Sequence, residues 1–256
     1  MRISLVIAIL AIVVLVIAAV QYVPDWFGAS QEPPVPAEVV MPSPVDMTPQ
    51  QQPPEPASVD PGPDALELVL PPLSESDDFV RAELEPLALP EDWAQRDDLA
   101  RRMAVVLANA ADGQYPQRQL AFMAPRAPFQ VVERDDRKYI DPASYQRFDS
   151  YLDLLERVEP DALAQLIDRL RPLLTEALGE LGSDLPPNAQ IKGAIDLLLE
   201  VPVLSGDVEV VQPKVFYEYA DPTLEALPPL KKLALRMGPT NLQRLKAYLS
   251  QLRLAL

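Results

Sequence analysis

Asp161-Ala162-Leu163-Ala164-Gln165-Leu166-Ile167-Asp168-Arg169-Leu170-Arg171-Pro172-Leu173-Leu174-Thr175-Glu176-Ala177-Leu178 is the stretch that decides the fold. Leu163, Leu166, Leu170, Leu173, Leu174, Ala177 and Leu178 recur at helical intervals, so they share one side of a helix. Pro172 lacks an amide hydrogen and predicts a kink. An apolar stripe of this width has to be buried against other helices, and the flanking sequence supplies them.

Downstream, Pro186-Pro187-Asn188 precedes a helix bearing Ile191, Ala194, Ile195 and Leu198. Further on, Leu242, Leu245, Leu249, Leu252 and Leu256 alternate three- and four-residue steps. That spacing fits a core-facing stripe better than a coiled-coil seam, because two heptads are too few. Upstream, Asp97-Asp98 opens a helix with Leu99, Met103, Val106, Leu107 and Ala110 on one side, ending near Gly113. Ser74-Glu75-Ser76-Asp77-Asp78 supplies a cap and first-turn acids for a helix with Phe79, Val80, Ala82 and Leu84. Residues 66–256 are therefore expected to form a single, mainly α domain of six to eight helices, long enough to bury one core.

Two β signals interrupt the helices. Phe129-Gln130-Val131-Val132-Glu133 and Lys138-Tyr139-Ile140 flank the charged tip Arg134-Asp135-Asp136-Arg137 and predict a short hairpin. Residues 208–211 predict one further short strand. Asp141-Pro142 follows the hairpin as a helix N-cap with proline at the first helical position, and the helix it starts carries Tyr145, Phe148, Leu152 and Leu155. A related order recurs: Val131-Val132, Tyr139-Ile140-Asp141-Pro142 and Arg157-Val158-Glu159-Pro160 correspond to Val210-Val211, Tyr219-Ala220-Asp221-Pro222 and Arg236-Met237-Gly238-Pro239. The spacings agree within one residue, which fits either a duplicated unit or coincidence of common Asp-Pro helix starts.

The first 65 residues are of another kind. Residues 3–20 form an apolar run after Arg2, and with residues 21–23 they match the roughly 20 residues a helix needs to cross a bilayer. The run exceeds a signal-peptide core, and Ala18-Ala19-Val20-Gln21-Tyr22 lacks a clear cleavage pattern, so an uncleaved transmembrane helix is expected over 1–23. Arg2 precedes the span and the next base is Arg81, which places the N-terminus in the cytoplasm and the rest outside. Tyr22, Trp26 and Phe27 then suit an aromatic belt at the outer interface. Between Pro24 and Pro63 stand 12 prolines. Residues 24–65 are accordingly expected to be a disordered linker with polyproline II character, either a spacer or a ligand for a proline-reading partner.

Composition excludes several chemistries. The 256 residues include no His and no Cys, which removes Ser-His-Asp triads, Cys-His pairs, the usual zinc sites and disulfides. No cofactor is expected: the 8 glycines make no phosphate-cradling loop, and no calcium loop is present. A formal charge of −16, acidic in both the first 63 residues and the rest, argues against nucleic acid as a partner. No catalytic or metal-ligating residue is assigned, although carboxylates or Ser and Lys leave an envelope hydrolase open as an alternative.

Two groups remain as a candidate interaction surface. Arg134, Asp135, Asp136, Arg137 and Lys138 form the hairpin tip, either a solvated turn or a polar contact. Residues 226–256 contain no acid, and Lys231, Lys232, Arg236, Arg244 and Lys246 lie there with Arg253. They make a basic patch, or else they complement the domain's own acids.

The segments Pro71-Pro72-Leu73-Ser74-Glu75-Ser76-Asp77, Asp98-Leu99-Ala100-Arg101-Arg102, 133–142, 213–222 and Arg236-Met237-Gly238-Pro239-Thr240-Asn241 resemble the uncharacterised bacterial domain-of-unknown-function family 3014. The resemblance covers nearly all of the folded part and implies a bacterial envelope protein, with no site residues to carry over. In layout alone, anchor, spacer and domain look like TonB-type or cell-division tethers; the span lacks the polar residue a proton-driven partner would engage. The expectation is a single-pass inner-membrane protein with its domain in the periplasm, serving as a binding or scaffold module for a protein or cell-wall partner.

Overall fold

The structure is a computed structural model that describes residues 70–85, 96–116, 120, 124–125 and 127–256. The expected transmembrane helix at 1–23 and the linker at 24–65 lie outside these residues. Among the described residues no helix is long and apolar enough to cross a membrane.

The described part is mainly helical with one small antiparallel sheet. In chain order it holds a 3-10 turn (Leu73–Glu75), α1 (Asp77–Leu84), α2 (Leu99–Ala111), β1 (Val131–Arg134), β2 (Arg137–Ile140), a 3-10 segment (Pro142–Phe148) and α3 (Asp149–Leu155). Then come α4 (Pro160–Glu180), α5 (Pro187–Leu199), β3 (Glu209–Val211), β4 (Glu218–Tyr219), α6 (Pro222–Glu225), α7 (Pro229–Leu235) and α8 (Gly238–Ala255). The stripe of α4 is the centre of the core. All seven of its predicted residues are buried, joined by Ala164 and Ile167, and α2 and α8 pack against it. Burying each leucine stabilises the fold by about 1.5–3 kcal/mol before entropy is counted. Pro172 sits inside α4 without ending it. In α8, Leu242, Leu245, Leu249 and Leu252 are buried, so that spacing is a core stripe and not a coiled-coil seam.

The sheet is larger than expected. β3 is not an isolated strand: it pairs with β2 and with β4, giving the order β1-β2-β3-β4. β4 has only two residues, too few to leave a period-two signal in the sequence. Strand alternation sorts the faces. Ile140, Val210 and Tyr219 point into the core, and Arg134, Arg137, Tyr139 and Glu209 occupy the other side.

Two local expectations need correction. The helix predicted from Asp141-Pro142 begins as a 3-10 segment and becomes α-helical only at Asp149. The cap itself is as expected, with the Asp141 side chain accepting from the Ala143 amide at 2.8 Å. Asp97-Asp98 does not cap α2 through its own side chains, because Asp98 has a left-handed backbone at φ 59°. The Asp77 carboxylate reaches across instead and accepts from the Asp98 and Leu99 amides, both at 2.8 Å.

The order of elements fits the suspected repeat. In each half a hairpin leads to an Asp cap with Pro after it, then to two short helical segments and a long helix with a proline in its first two positions. Both hairpins pair residues nine apart, Val131 with Ile140 and Val210 with Tyr219, and relative to the Asp-Pro caps the second is offset by one residue.

Candidate functional site

The hairpin tip is a two-residue turn in which Asp135 and Asp136 both have left-handed φ, 51° and 60°. That conformation matches the twist of the flanking strands. Two of its bases are engaged within the sheet: Arg134 pairs with Asp207 at 2.5 Å, and Arg137 with Glu209 at 3.4 Å. Arg134 also lies over the Tyr139 ring. The tip is thus a braced turn on the solvent side of the sheet. Lys138 differs: Glu133 faces it in the register, yet its ammonium turns to the side-chain amide oxygen of Gln212 and to the Tyr217 ring, 5.6 Å from the centroid.

The acid-free C-terminal stretch does not present a bare basic patch. Lys231 pairs with Glu200 at 2.6 Å, Lys232 with Glu225 at 2.5 Å, Arg253 with Asp196 at 2.5 Å, and Arg244 with both Asp153 and Glu156. Arg244 is accordingly held above its ordinary value, chiefly by its bonds to Glu156 and despite some burial. These bases complement acids on α3, α5 and α6. Lys246 is half-buried and lowered by desolvation.

Arg236, in the same group, has an aromatic setting. It is buried at the end of α7 and lies over two rings, 5.5 Å from the Phe129 centroid and 5.3 Å from that of Tyr219. It donates to the Tyr217 carbonyl at 3.2 Å. A second guanidinium, Arg147, lies 5.4 Å from the same Phe129 ring and 5.4 Å from Phe148. Phe129 and Tyr217 are themselves in ring contact at 5.7 Å. The structure therefore brings one residue of each predicted group, Lys138 and Arg236, to a single aromatic layer that also holds Arg147. The other predicted residues stay outside it.

Local structure explains how the layer is held. Ser144 in the 3-10 segment accepts from the Gln130 amide at 2.6 Å and donates to the Gln130 carbonyl at 2.9 Å, docking the strand that follows Phe129. Arg147 donates to the Ser144 and Ala127 carbonyls. Burial, and then the neighbouring charge of Arg236, push the Arg147 guanidinium down to about 10. Burial lowers Arg236 as well. Among the described residues Arg147 has no carboxylate partner. Beside the layer, the loop 212–217 between β3 and β4 exposes Val215 at 71 % and carries exposed Lys214. Apart from Lys138 and Arg236, sequence reading missed this site. A guanidinium over a ring has no periodic signature, and Phe129, Arg147, Tyr217 and Arg236 are far apart in the chain.

On the far side of the sheet, Leu204, Ser205, Asp207, Val208, Glu209, Ala220, Asp221 and Leu224 line an open concavity of about 370 Å³. Its acids are committed to structure. Asp207 and Glu209 hold the hairpin arginines, and Asp221 caps α6 by accepting from the Thr223 hydroxyl and amide. Those bonds hold the Asp221 carboxyl below its ordinary range, the opposite of what a general acid needs.

The fold and site define a helical domain with a small antiparallel sheet and a cationic, aromatic face. The profile of a family described as protein of unknown function (DUF3014) matches residues 99–253, and the chain belongs to that family. The match starts at Leu99, so residues 71–77, quoted above for the resemblance, lie outside it. No curated protein and no solved structure matches the chain. One of the segments quoted for the resemblance has a structural explanation: Gly238 has φ +78°, and a Cβ there would fall 2.4 Å from Cγ of Tyr145. Asn241, also buried, donates to the Tyr145 carbonyl at 3.0 Å and to Asp149 at 2.8 Å. Arg236-Met237-Gly238-Pro239-Thr240-Asn241 thus fastens α8 to the 3-10 segment.

Proposed function

We propose that the chain is a binding module of the bacterial envelope. Residues 1–23 anchor it in the inner membrane with the N-terminus in the cytoplasm, and the proline-rich spacer carries the helical domain into the periplasm to engage a protein partner. The apolar run after Arg2 and the absence of further bases before Arg81 support this address. The observation that carries the binding role is the layer of Phe129 and Tyr217 with Lys138, Arg147 and Arg236, next to the exposed loop 212–217. Aromatic rings that fix arginines on a partly exposed face are a common composition for recognition surfaces.

Alkaline phosphatase fused after Leu256 is expected to be active in cells holding the full-length fusion. An inactive reporter there overturns the orientation. Cross-linking of intact cells is expected to recover an envelope protein bound to the domain, and recovery of none overturns the binding role.

A further inference from the structure

The geometry points to Arg147, with Lys138 and Arg236 beside it on the Phe129–Tyr217 layer, as the binding site for a short acidic peptide segment of a partner protein. This rests on the binding role proposed above and names the chemistry that the surface would recognise.

Three observations converge. The first is the contrast among the bases. Arg134, Arg137, Lys231, Lys232, Arg244 and Arg253 are each matched by a carboxylate of the domain. Arg147 and Lys138 have none among the described residues, and their polar contacts are to carbonyl or amide oxygens. Glu225, which approaches Arg236 closely enough to favour its charge, is itself held by Lys232 and the Tyr219 amide. The layer is therefore supplied with positive charge beyond what nearby acids take up.

Orientation is the second. Both arginines lie over the Phe129 ring, and backbone carbonyls hold Arg147 further at Nε and Nη1. A guanidinium fixed in this way loses little side-chain entropy when it meets a carboxylate, which it can bind as a fork. The third is the setting. Phe129, Tyr217 and Val215 offer apolar surface for side chains flanking the acid. Residues 64–256 carry 21 bases and 32 acids, a balance of −11, so the cationic face is a local feature on an acidic domain. An extended polyanion would be repelled outside the site, whereas one or two carboxylates feel chiefly the nearest charges, since screening acts over about 8 Å.

The probe is a fluorescein-labelled tetraglutamate peptide, titrated by anisotropy against the full chain in nonionic detergent. Saturable binding that weakens with salt is expected. Arg147→Gln should weaken it at least about tenfold, the equivalent of one charged fork. Lys138→Gln should weaken it about threefold as a rim charge, and Arg244→Gln should leave it unchanged. Absence of binding, an unaltered Arg147→Gln, or equal loss in Arg244→Gln overturns the site. Displacement of the peptide by phosphatidylglycerol vesicles or by inorganic phosphate at equal concentration also overturns it, in favour of a lipid or phosphate ligand. Should Arg147→Gln fail to fold, Arg147→Lys decides: it keeps the charge and loses the fork, so unchanged affinity sinks the proposal. If cross-linking recovers the same envelope protein with parent and Arg147→Gln chains alike, the binding role stands and this surface falls.

Discussion

The two halves of the domain run through the same elements and end differently at their hairpins. In the first, β1 and β2 meet through the two-residue turn Asp135-Asp136, which Arg134–Asp207 and Arg137–Glu209 brace against the sheet. In the second, β3 and β4 are joined by residues 212–217, with Val215 and Lys214 exposed and Tyr217 folded back onto Phe129. Equal separation of the facing residues, nine in both hairpins, shows that the strands themselves do not impose the difference. The short turn spends its charges on its own sheet. The long loop leaves apolar and basic groups outward beside the layer proposed for recognition, whereas the tip of the first hairpin is taken up with bracing its own sheet.

The scaffold beneath should treat the halves alike. Leu166 on α4 and Leu245 on α8 occupy corresponding places and are both fully buried. Replacing either by Ala is expected to cost about 3–4 kcal/mol through lost burial and the cavity left behind, read by urea unfolding. A cost near 1 kcal/mol at Leu245 alone would break the equivalence. The junction between halves comes next. Gly238→Ala should destabilise by about 3 kcal/mol, combining a left-handed φ with an overlap on the Tyr145 ring. Gly182→Ala, also at positive φ but facing open space, should cost only about 1 kcal/mol. Equal losses at the two glycines would mean that Tyr145 yields and that the close approach contributes nothing.

The parts that could be read in advance are those whose cause is local. Leucine spacing on α2, α4, α5 and α8, the hairpin at 129–140 and the Asp-Pro caps each state their structure within a few residues. The Asp77 cap on α2 could not be read, because it acts across more than twenty residues. Nor could β4, whose two residues are strand only because β3 is beside them. The same holds for the site. Charge counting picked out Lys138 and Arg236, but the rings they meet, Tyr217 and Phe129, and the third cation Arg147 are brought there by the fold. For the acid-free C-terminal stretch the sequence left two readings, a basic patch or bases matched by the domain's own acids, and most of these bases are matched in space by acids on or next to α3, α5 and α6.

The caps provide a smaller test of the comparison. Asp141→Ala should cost about 1 kcal/mol by removing the bond to the Ala143 amide. At Asp221 the test is pH. Bonds from the Thr223 hydroxyl and amide hold its carboxyl below the ordinary value of 3.8 in the folded state. A depressed folded pKa contributes stability above the unfolded pKa that is lost as pH falls through the folded one. Asp221→Ala should therefore show a shallower loss of melting temperature below pH 4 than the parent. An identical acid limb in the two proteins would remove Asp221 from the account.

The smallest effect is expected at the braced turn, where it matters most for telling the hairpins apart. Arg134 and Asp207 are 52 % and 48 % exposed, so solvent screens their pair. Arg134→Gln should cost about 0.5 kcal/mol or less, and 0.5 M salt should erase most of that difference. Replacing Asp135-Asp136 by Asn-Gly should raise stability by about 0.5 kcal/mol, since both positions need left-handed φ and glycine adopts it without strain. Neither change should alter tetraglutamate affinity, because the braced charges point to the side of the sheet away from Phe129. If Arg134→Gln weakens the peptide as much as Arg147→Gln does, then the tip is part of the contact surface. The division between a braced tip and a recognising aromatic layer would then be lost.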